Sequence, residues 1–244
     1  MPPLASRRDA LVGALALASS RAARDGTPRV TRAVVRAPSG IDPERAAREW
    51  SALSEGFLVD GTLVRDGSGT FTLEFRDADG PGRGGGVALA GVVIGSSNPA
   101  RARNAAVRRG AKSASGGDNC RGDTYAGCAA TTSETNARAR YVGSSWAEGS
   151  VVRVVVSASD VDALATRVQA ALGPEARRTS GELVVRGVSE FAAEDARTKS
   201  ASTFLSFPTK YSTAIEIVPG SSASGYVVQA FHLELPEGCG VVYL

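Results

Sequence analysis

Val30-Thr31-Arg32-Ala33-Val34-Val35-Arg36-Ala37 and Val151-Val152-Arg153-Val154-Val155-Val156-Ser157-Ala158 are two versions of one strand. Both are rich in β-branched residues, which favour a pleated, half-buried surface. Each is followed by a helix with its own start signal. Asp42 stands before Pro43-Glu44, so a carboxylate can accept from the free N–H groups, Pro suits the first turn and Glu complements the dipole. Asp160 does the same for a helix with Val161, Leu164, Val168 and Leu172 on one side. Gly-x-Leu-Val then recurs at Gly61 and Gly181, and a Phe-bounded strand recurs at Phe71 (FTLEF) and Phe204 (FLSF). This order describes a duplicated βαββ unit. The expectation is an α+β protein, mainly antiparallel sheet with a few helices on one face, in two similar βαββ halves.

Working outward, Ala46, Trp50 and Leu53 share the inner face of the first helix. Phe57–Arg65 and Thr70–Arg76 read as strands joined by the turn Asp66-Gly67-Ser68-Gly69. A fourth strand is expected over Val87–Ile94, and Asn98-Pro99 opens an Ala/Arg-rich helix to about Arg109. Residues 111–138 hold almost nothing large and apolar and read as a polar loop or linker. The halves are therefore 27–110 and 139–244. Later strands are expected at Glu182–Arg186, Thr203–Phe207, Tyr211–Val218, Tyr226–Leu235 and Gly238–Leu244.

The first 24 residues read as a cleavable targeting signal. A short basic start ends in Arg7-Arg8, Ala10–Ala18 is an apolar run, and Ala16-Leu17-Ala18 offers a small-x-small cleavage site. Nine residues at 1.5 Å each reach about 14 Å, half of a bilayer core, so the run is no membrane anchor. Ser6-Arg7-Arg8-Asp9-Ala10-Leu11 resembles a twin-arginine signal, which implies an exported protein of the thylakoid lumen or bacterial periplasm. The full chain carries a net charge of +3. Arg7, Arg8, Arg21 and Arg24, less Asp9, supply it, so the remainder is neutral and gives no reason to expect a polyanion partner. Cys120 and Cys128 are close enough in sequence to form a disulfide in an oxidising compartment, which leaves Cys239 over.

Much chemistry is excluded by residue type. His232 is the only histidine. It lies on an alternating strand, where it and Glu234 point away from Phe231, Leu233 and Leu235, towards solvent. A histidine-rich zinc site is impossible, and no Gly-x-Ser-x-Gly elbow supports a triad. Gly80-x-Gly82-x-x-Gly85 matches a dinucleotide fingerprint by letter, but a strand follows it instead of a helix. Asp77-Ala78-Asp79-Gly80 lacks the first ligand and the closing Glu of a calcium loop. Glu190, Glu194 and Asp195 read as solvated charges. No cofactor, metal or catalytic residue is expected.

The candidate interaction residues are Arg101, Arg108 and Lys112, placed on one helix face, and Arg121 and Asp123 in the Arg-Gly-Asp of the Cys120–Cys128 loop. Nucleic acid is a poor partner, because no aromatic residue lies between Phe75 and Tyr125 to stack on bases. The functional expectation is a non-catalytic accessory subunit that docks onto a protein or membrane complex without itself spanning the membrane. A cofactor-independent enzyme or small-ligand-binding protein is the first alternative, and an adhesive ligand using the Arg-Gly-Asp loop is the second.

Overall fold

A computed structural model describes residues 29–78, 87–113, 128–143, 148–172, 177–180, 203–206, 213–220, 225–235 and 238–244. The leader, the glycine-rich run from Gly80, Cys120, Arg121, Asp123 and the Glu190–Asp195 group lie outside these residues. Three stretches repeat one topology. The first is β1 (Arg29–Arg36), α1 (Pro43–Ser51), β2 (Leu58–Asp60), β3 (Leu63–Arg65) and β4 (Thr72–Arg76). The second is β5 (Val87–Ser96), α2 (Pro99–Arg108), β6 (Lys112–Ser113), β7 (Ala129–Thr131) and β8 (Arg138–Gly143). The third is β9 (Ser150–Ala158), α3 (Val161–Leu172), β10 (Arg177–Ser180), β11 (Thr203–Ser206) and β12 (Ala214–Pro219). A hairpin of β13 (Val227–Leu235) and β14 (Gly238–Tyr243) follows.

In each βαβββ unit the helix crosses over, so the first strand pairs in parallel with the fourth: β1 with β4, β5 with β8, and β9 with β12. The other pairings are antiparallel. β5 pairs with β9 and β1 with β13, and two residues of β13 reach β5, which joins everything into one mixed sheet. Mainly sheet with few helices is therefore correct, but the repeat is βαβββ and occurs three times. The unit that sequence reading missed runs through the segment taken for a linker. β7, β8 and the turn between them bury Ala129, Ala130, Ala137 and Ala139, whose small side chains pack without the bulky residues that advertise a core strand. The Phe-based match was also misplaced, because β4 corresponds by topology to β12 and not to the strand at Phe204.

Local chemistry follows the sequence closely. The Asp42 carboxylate accepts from the N–H groups of Glu44 (2.9 Å) and Arg45 (3.1 Å) at the start of α1. Trp50 of α1 is wholly buried against Phe75 of β4 and Tyr226, with ring centroids 6.0 and 5.5 Å away. This cluster belongs to one core to which all three helices contribute. Leu58–Arg65 is not one strand: the chain reverses at Gly61, whose φ of +58° suits glycine, and pairs β2 with β3.

The turn after β3 fastens the first unit to the third. Buried Asp66 accepts from the N–H groups of Thr70 (3.1 Å) and Phe71 (3.2 Å), and its other oxygen accepts from Val151 N–H (2.9 Å) in β9. Beside it the Gly67 N–H donates to the Gly149 carbonyl at 3.0 Å.

Candidate functional site

Alternation along a strand sends successive side chains to opposite sheet faces. Leu89, Val92 and Ile94 of β5, Val154 and Val156 of β9, and Ile215 and Ile217 of β12 join the core that holds the helices. Their neighbours Ala90, Val93, Val142, Val155 and Val218 form a second apolar cluster that contains no helical residue. It is nevertheless buried. Among the described residues this face carries no helix and has a buried apolar floor, and three charged side chains stand in it: Arg140 of β8, Arg153 of β9 and Glu216 of β12.

Glu216 is 1% exposed. One carboxylate oxygen accepts from Arg153 Nη1 at 3.3 Å, and the other is buried without a hydrogen-bond partner among the described residues. Burial pushes its carboxyl up, against the opposing pull of the Arg153 and Arg140 guanidinium groups. An unfilled acceptor in a dry place is costly, by about 1–3 kcal/mol or more for a charged group, so it marks a position where a hydrogen-bond donor is missing.

The raised affinity of Glu216 for its proton has a consequence for stability. The folded chain holds the proton where the unfolded chain, near its ordinary value of 4.5, releases it. Stability from this group is therefore full below that value and falls as pH rises through the raised one, by about 1.4 kcal/mol per unit of displacement. Urea unfolding from pH 4 to 8 should show this fall in the wild type and a flatter profile in Glu216→Gln. Identical profiles for the two proteins would remove Glu216 as the cause.

The same arrangement recurs on β1 and β4. In the parallel registers Arg32 faces Thr72 as Arg153 faces Ala214, and Val34 faces Glu74 as Val155 faces Glu216. Glu74 accepts from Arg32 Nη1 (2.7 Å) and Arg76 Nε (2.9 Å), and these two cations hold its carboxyl below the usual range despite partial burial. The helix-free face of the first unit is more open: the Arg32 side chain is 42% exposed. A divalent cation suits neither place, since each carboxylate is flanked by arginines. Among the described residues no group of three His, Cys, Asp or Glu is placed to hold a metal.

Of the residues singled out from sequence, Arg101, Arg108 and Lys112 are all exposed. Lys112 does not share their helix, because Gly110 (φ +102°) ends α2 and Lys112 begins β6. His232 lies on the face away from the helices, as the alternation required, and is half-buried between β1 and β14. Desolvation and the Arg32 guanidinium lower its affinity for a proton, and Glu74 opposes them. Cys128 is buried, and Cys239 is a free, exposed thiol. A small crevice of mixed lining between Ser54, Gly56, Ile94, Ala102, Glu148 and Gly149 has about 30 Å³ of room, enough for a water or two. Glu74 and Glu216 were missed, although each is the single carboxylate in a strand that alternates around it (TLEFR, AIEIV).

No family model matches the chain, and no curated protein matches it. Among solved structures it is similar to glyoxalase I from Zea mays, with a TM-score of 0.55 and 13% identity over 86% of this chain and 75% of that one. Two point variants of that protein give a TM-score of 0.52 each. Their identities are 13% and 14%, covering 86% and 88% of this chain and 76% and 78% of theirs. At such identity the likeness is one of fold, and the chain has a glyoxalase I-like βαβββ fold.

Proposed function

We propose that the protein binds a small organic molecule on the helix-free face of β5, β9 and β12. The observation that carries this reading is the buried, unpartnered oxygen of Glu216 beside the apolar floor of Val93, Val142 and Val155. A ligand that fits has an apolar body and a hydroxyl or amide donor aimed at that oxygen. A cationic head does not fit, because Arg140 and Arg153 stand beside the carboxylate. The fold shared with glyoxalase I is consistent with a small-ligand site. Native mass spectrometry of protein taken from its source should reveal a bound small molecule, absent from a Glu216→Leu variant that keeps the wild-type circular dichroism. Wild-type protein that is ligand-free under the same conditions, and a Glu216→Leu variant no different from it, would sink the reading.

Docking onto a larger assembly is the second reading. Arg101, Arg108 and Lys112 are exposed, and Val107 among them is 40% exposed. Among the described residues no helix is long and apolar enough to cross a membrane. Recovery of the native protein with a membrane complex in mild detergent supports docking, and a free monomer opposes it. The exported address belongs to this reading and rests on Ser6–Ala18. Native material that still began at Met1 would contradict it.

A further inference from the structure

The two equivalent strand pairs differ where they leave the shared Arg–Glu pattern. β9 and β12 present Ser157 opposite Val218, whereas β1 and β4 present Arg36 opposite Arg76. Register partners on adjacent strands stand about 5 Å apart on one face, and like charges placed so are destabilising. Arg76 is partly answered by Glu74, which it shares with Arg32. Arg36 is half-buried and has no hydrogen-bond or ion-pair partner among the described residues. A half-buried guanidinium beside a second one, with no partner for its donors among the described residues, is a place for an anion with several acceptor oxygens.

We propose that this face binds the phosphoryl group of a small soluble phosphate ester, gripped between Arg36 and Arg76 with Arg32 and His232 at its margin. The site is separate from the one at Glu216 and does not depend on it. The charges that His232 faces are accounted for. Arg32 lies opposite it on β1, Glu74 and Arg76 come from β4, Arg29 already engages Glu234 further along β13, and Val241 of β14 brings no charge. A dianion at Arg36 and Arg76 offsets Arg76, one of the two cations that depress the imidazole, so phosphate should raise the pH at which His232 titrates.

The full chain has one histidine, so its ring Hε1 proton gives a single unambiguous NMR signal. Titration with inorganic phosphate and then glycerol phosphate, at constant ionic strength, should move that signal saturably and shift its pH midpoint upward. Arg36→Gln should weaken the affinity about tenfold or more, the scale of one charge-assisted hydrogen bond, while Arg167→Gln on the exposed face of α3 leaves it unchanged. Near-ultraviolet circular dichroism identical to wild type confirms that Arg36→Gln is folded. The proposal is overturned by a signal that does not respond, by a chloride response equal to that of phosphate, or by equal affinities of Arg36→Gln and wild type. Sedimentation with phosphatidic acid vesicles without any response to inorganic phosphate also overturns it, since the surface would then read a membrane.

Discussion

Gly67→Ala should leave the chain largely unable to fold. A Cβ at this position would stand 2.0 Å from the carbonyl oxygen of Glu148 and 3.1 Å from its carbonyl carbon. Both are backbone atoms and neither can swing aside. The objection is purely steric, since Gly67 is not among the glycines held at positive φ. Relief requires the turn after β3 to move off the start of β9. That movement breaks the Gly67–Gly149 hydrogen bond and pulls the Asp66 carboxylate from the Val151 N–H. Overpacking of a tight contact costs up to about 3 kcal/mol, and buried groups left unpaired add about 1–3 kcal/mol each. Together these rival the whole stability of an ordinary domain, about 5–15 kcal/mol. Gly143→Ala is the matched control, because nothing lies within 4 Å of its added Cβ. Urea midpoints should therefore separate the two variants widely. If Gly67→Ala unfolded at the same urea concentration as Gly143→Ala, the close contact between the first and third units would be wrong.

Trp50→Ala should cost about 3–5 kcal/mol, the usual range for removing a large buried aromatic side chain. The indole is wholly buried and meets Phe75 at 6.0 Å and Tyr226 at 5.5 Å, so it binds helix α1 to strands from both ends of the chain. The loss should be uneven. α1 is only nine residues long, too short to persist as an isolated helix, and its seat is this aromatic cluster. Hydrogen exchange at Ala46 and Ala47 should accelerate more than at Val154 and Val156 in β9. A destabilisation below about 1 kcal/mol, or exchange raised equally across the sheet, would show that α1 is held by something other than Trp50.

Some of this architecture was open to reading and some was not, for reasons that lie in particular residues. β1, β9 and β13 declare themselves through β-branched alternation, and α1 and α3 through Asp42 and Asp160, because these signals are local. β7 and β8 were hidden because Ala130, Ala137 and Ala139 bury completely while adding little hydrophobic bulk. Lys112 was put on the helix face by extending the 3.6-residue period past Gly110, a residue whose positive φ ends the helix. The candidate site was the least legible part. Its charged members sit on β8, β9 and β12, and they meet through two parallel pairings, each created by a crossover helix, and through the antiparallel pairing of β5 with β9 that joins them. No spacing in the sequence encodes that meeting. The duplication pointed the right way, but matching phenylalanines set FTLEF against FLSF, whereas matching single carboxylates sets Glu74 against Glu216.

The pairing of β1 with β13 fixes when the fold can finish. Arg29 and Glu234 are 205 positions apart in the chain and side by side in the sheet. At about 5–20 residues per second a ribosome needs roughly 10–40 s to cover that interval. Throughout it the β1 edge destined for β13 has no strand to accept it, while Val30, Ala33 and Val35 are already made. Topology of this kind slows folding as well. The newborn chain therefore spends its longest wait with one strand edge open to any other strand it meets. Crowded synthesis should thus favour aggregates seeded at β1, and early capture of that edge by a chaperone should raise the yield of native protein more than any change to the surface loops.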